Sequence, residues 1–119
     1  MADIIKELEQ YLEEEDLVIL VDIPGANPMT EMLCGSEALS NTSKNVAILS
    51  TVNCPIKFGR HMYRVLTETE MKTLLEIYRS YESSDKLILL TDSRNYGSTW
   101  NYTSNGLLSS EEMFQAMLA

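Results

Sequence analysis

Three uninterrupted apolar runs constrain this chain more than any other feature: residues 17–23 (LVILVDI), 46–52 (VAILSTV) and 87–92 (LILLTD). A strand with one wet face alternates apolar and polar residues. These runs do not alternate, so each reads as a strand buried on both faces, as in a parallel sheet between helices. Long spacers separate the runs, and parallel strands require such crossovers. The pattern predicts an α/β fold. It forms a single domain over residues 1–119, with a small, mainly parallel sheet of about three strands covered by about four helices. The segment 54–65 reads differently. Ile56 and Phe58, then His61, Tyr63 and Val65, alternate around Gly59, which fits an extra antiparallel hairpin or edge strand.

The rest of the chain carries helix signals. Ile4, Ile5, Leu8, Tyr11 and Leu12 fall at helical spacing, predicting an amphipathic helix over residues 3–14 with Asp3 as its cap. Glu13, Glu14, Glu15 and Asp16 follow at its end, where negative charge opposes the helix dipole. They read as a solvated end or as an acidic contact patch. Asn27-Pro28 is a cap followed by a first-turn proline, so a helix is expected to start there and reach toward Leu33, with Gly35 ending or interrupting it. Two later starts match position by position, LTETEM at 66–71 and LSSEEM at 108–113. In each, a hydroxyl (Thr67, Ser109) faces a glutamate three residues on (Glu70, Glu112), and apolar residues flank the pair. That is a capping box with a hydrophobic staple. The first predicts a helix to about Ser80 that buries Met71, Leu74, Leu75, Tyr78 and Tyr81. The second predicts a C-terminal helix that buries Met113, Phe114, Met117 and Leu118.

Charge and composition narrow the function classes. With 119 residues, 45% of them hydrophobic and 23% charged, the chain has the makings of a folded core. Its formal net charge of −9 argues against direct nucleic-acid binding, which needs a basic face to neutralise phosphates. No apolar run approaches the roughly 20 residues of a membrane helix, so no membrane association is expected. The start, MADIIKELEQ, lacks the apolar segment of a secretion signal, so a cytoplasmic location is expected. There Cys34 and Cys54 would be reduced, buried thiols. A single histidine, His61, excludes sites built on several imidazoles. A Cys54–His61 nucleophile pair has no flanking signature to support it.

In a parallel sheet, ligands bind outside the carboxyl ends of the strands. The loops expected there begin at Asp22, at Ser50-Thr51 and at Thr91. The last, TDSRNYGSTWNYTSNG (91–106), is the longest. It reads either as a lid pinned to the core by its rings or as a contact surface, since Trp and Tyr are frequent protein–protein anchors. The candidate contact residues are Asp92, Asn95, Tyr96, Trp100, Asn101, Tyr102 and Asn105, with Asp22, Asn27 and Asn53 at the other strand ends.

The reading that follows is an acidic binding or accessory module whose partner is another protein or a second copy of itself. No catalytic residue, metal or cofactor is expected of it. An alternative is a small-ligand or Mg²⁺-phosphate site, with scope for enzymatic activity, at the same edge around Asp22, Asn53 and Asp92. Its usual companions, GxxxxGK[ST], GxGxxG and Asp-x-Asp, are absent from the sequence. A third reading, resting on net charge alone, is an acidic inhibitor of a basic nucleic-acid-binding protein.

Overall fold

A computed structural model describes residues 2–22, 37–51, 61–81, 86–91 and 101–102. The elements are α1 (Ala2–Glu14), β1 (Leu17–Asp22), α2 (Glu37–Asn41), β2 (Val46–Ser50), β3 (Met62–Val65), α3 (Glu68–Ile77), a 3-10 turn (Tyr78–Tyr81), β4 (Leu87–Thr91) and the two-residue β5 (Asn101–Tyr102). The strands lie in the order β3-β2-β1-β4-β5, and every pairing is parallel. Each apolar run thus contains a strand of one sheet, as its lack of alternation requires. The central strands are buried throughout: Leu17 to Val21, all of β2, and Leu87 to Leu90.

One face of the sheet carries Val18, Leu20, Ala47, Leu49, Leu87 and Leu89, which form a cluster with Ile4 and Leu8 of α1 and Met71, Leu74 and Tyr78 from α3 and the 3-10 turn. Burying each of these larger side chains is worth roughly 1.5–3 kcal/mol. The β3–α3–β4 connection crosses the sheet in one direction, and β1–α2–β2 crosses it in the other. Right-handed crossovers therefore put α2 on the opposite face from α3. Leu39 of α2 is fully buried without belonging to the α1/α3 cluster. The sequence does not separate α2 from the helix expected at Asn27-Pro28, because five residues are too few for a periodicity to register.

Three sequence expectations change. The edge strand expected within 54–65 exists as β3, but it pairs parallel to β2, with Ala47 opposite Met62 and Ser50 opposite Val65. Its alternation suggested a hairpin. In the fold it marks the outermost strand among the described residues, half-buried at Met62, Tyr63 and Arg64 and exposed at Val65. Asp3 lies inside the first turn of α1, where its charge complements the helix dipole, and does not precede the helix as a cap. Asn101 and Tyr102 belong to a strand, opposite Leu89 and Leu90 of β4, within the stretch expected to be loop. Two polar-tipped residues carry no period from which to read a strand, whereas pairing satisfies backbone groups of β4. The helices expected from Pro28 and Ser109, Cys34 and Cys54, and the possible hairpin partner at 54–60 lie outside the described residues.

The capping box of α3 is as expected. Glu70 N–H donates to Thr67 Oγ1 at 3.1 Å, and Thr67 N–H donates to Glu70 Oε1 at 2.9 Å. Leu66 and Met71, the staple pair, are both buried in the same cluster.

Candidate functional site

Each of the four longer strands is preceded by a polar residue: Asp16 before β1, Asn45 before β2, His61 before β3 and Lys86 before β4. Their bonds tie the starts of these strands to one another and to the helices beside them. Asn45 N–H donates to Asp16 Oδ2 at 2.8 Å, and Asn45 O accepts from the amides of Asp16 and Leu17. Lys86 O accepts from Val18 N–H at 2.7 Å, while Lys86 Nζ donates to Leu12 O in the last turn of α1 at 3.1 Å. A cation there offsets the acidic run at that helix end.

His61 is the buried member of this set. Its Nδ1 lies 3.3 Å from Val46 N and its Nε2 lies 2.6 Å from Leu39 O. The Val46 amide can only donate, so Nδ1 accepts and carries no proton. The hydrogen is on Nε2 and is donated to Leu39 O. Both nitrogens are committed to backbone, tying α2 and β2 to the start of β3. Cys54, the other member of the nucleophile pair considered from sequence, lies outside the described residues.

A second polar group joins the helices of one face. Arg64 of β3 donates from Nε to Glu7 of α1 at 2.9 Å and from Nη2 to Glu70 of α3 at 3.2 Å. Desolvation opposes the guanidinium's charge, but the bond to Glu7 and the fields of Glu7, Glu70 and Tyr11 outweigh it, and its pKa is raised. Tyr11 is pushed up by burial and then by Glu7. Glu70 is held below the ordinary carboxylate value by its bond from the Thr67 amide and, more weakly, by Arg64. Sequence reading missed this group. Its faint signal is Glu7 and Tyr11 four apart on α1 beside a lone arginine in an otherwise uncharged strand.

The carboxyl end of the sheet holds the candidate site. The chain runs from β1 outward through β2 to β3 on one side, then crosses back over to β4 and β5 on the other. The strand order therefore reverses between β1 and β4, and crevices in open parallel sheets form at that point. Asp22, half-buried at the end of β1, is the register partner of Thr91, the last residue of β4. On the other flank, Ser50 is fully buried, its carbonyl accepts from Leu66 N–H at 2.7 Å, and Thr51 is half-buried just beyond it. Asn101 and Tyr102 pair alongside β4, two residues and one residue short of Thr91 respectively. Asp92, Asn95, Tyr96, Trp100, Asn105, Asn27 and Asn53 lie outside the described residues. Among the described residues, no three His, Cys, Asp or Glu side chains converge as a metal site. No helix among them is long and apolar enough to cross a membrane.

The chain matches no protein-family model, and no curated protein or solved structure matches it. The described residues form an α/β fold with an all-parallel sheet and a switch point between β1 and β4.

Proposed function

We propose that the protein is a binding module without catalysis of its own, and that it engages a partner protein through the carboxyl end of its sheet. The observation that carries this reading is the pairing of Asp22 with Thr91 at the β1/β4 switch point. At the opposite end, polar side chains are engaged in bonds within the fold. The sequence leaving β4 brings Asp92, Asn95, Tyr96 and Trp100 into the segment that begins at this point, a composition suited to a protein contact. With a net charge of −9, the complementary partner surface is basic.

Affinity capture with wild-type protein, Asp22→Asn and Trp100→Ala tests the proposal, with Glu9→Gln on the exposed face of α1 as the control. Captured protein should fall with the first two variants and not with the third, circular dichroism showing the fold intact. Capture indifferent to both site variants would reject it. A second reading, a small-ligand or Mg²⁺-phosphate site, draws on the same pairing: Thr91 opposite Asp22 makes Asp92 the next residue in the chain. A metabolite released from natively purified protein, and lost in Asp22→Asn, would favour that reading.

A further inference from the structure

We draw no further inference here: the strongest candidate, the buried His61 side chain just before β3, has both ring nitrogens bonded to backbone groups of α2 and β2, and the segment 52–60 that leads to it lies outside the described residues, so nothing in the structure shows what other groups face the ring.

Discussion

At the amino end of the sheet, side-chain bonds join residues 15, 22, 29 and 74 positions apart. At the carboxyl end, the side-chain contacts that start α3 join residues three apart. The first set can form only once the strands are assembled. The second can form as soon as one turn of helix does. The difference separates an end whose polar groups are bound up in the topology from an end where a local cap starts α3 beside the last residues of the strands. Stability should therefore be concentrated at the amino end and recognition at the carboxyl end.

The largest expected effect is at His61. His61→Ala opens a cavity and strips partners from the Val46 amide and the Leu39 carbonyl, so it should cost on the order of 3 kcal/mol. Urea denaturation checks this. A loss below about 1 kcal/mol would mean that the amino end is not held as described. Thr67→Ala should cost about 1 kcal/mol by leaving a helix amide unpaired. Ser109→Ala should match it if the second capping signal opens a helix as the first does, and an unchanged midpoint would show that the twin motif does not. Asp16→Ala, at an exposed position, should cost about 0.5–1 kcal/mol, the net value of one hydrogen bond.

A smaller effect depends on pH. Glu70 is depressed below its ordinary value of 4.5, first by the Thr67 amide. A carboxylate with a lowered folded-state pKa contributes stability that is complete above the unfolded value and is lost as pH falls through the folded one. Wild type should thus lose this increment in the acid range below 4.5, and Glu70→Gln should lack that part of the decline. Parallel melts across that range compare the slopes, and identical slopes would remove Glu70 as the cause. The smallest effect should be Thr51→Ala at the carboxyl end, within about 0.5 kcal/mol. A larger loss there would show that this end too is held together by the fold.

What the sequence determined by itself is what short-range physics sets. Unbroken apolar runs can be satisfied only by burial on both faces, so the strands at 17–22, 46–50 and 87–91 were legible as parallel. Thr67 and Glu70 stand three residues apart, so their reciprocal bonds follow from helix geometry alone. Asp22 was legible as a strand-end residue for the same reason. Tertiary structure decided the rest. The order β3-β2-β1-β4-β5 places Asp22 beside Thr91 across 69 positions of sequence, and no local pattern encodes that neighbour. The direction of β3 was not legible, because alternation reports a strand's burial and not its sense. Asp16, Asn45, His61 and Lys86 each precede a strand, a regularity visible only once the strand starts are known. Their partners, like Glu7 for Arg64, are brought within bonding distance by the crossovers, and charge or polarity in a sequence carries no record of what it will face.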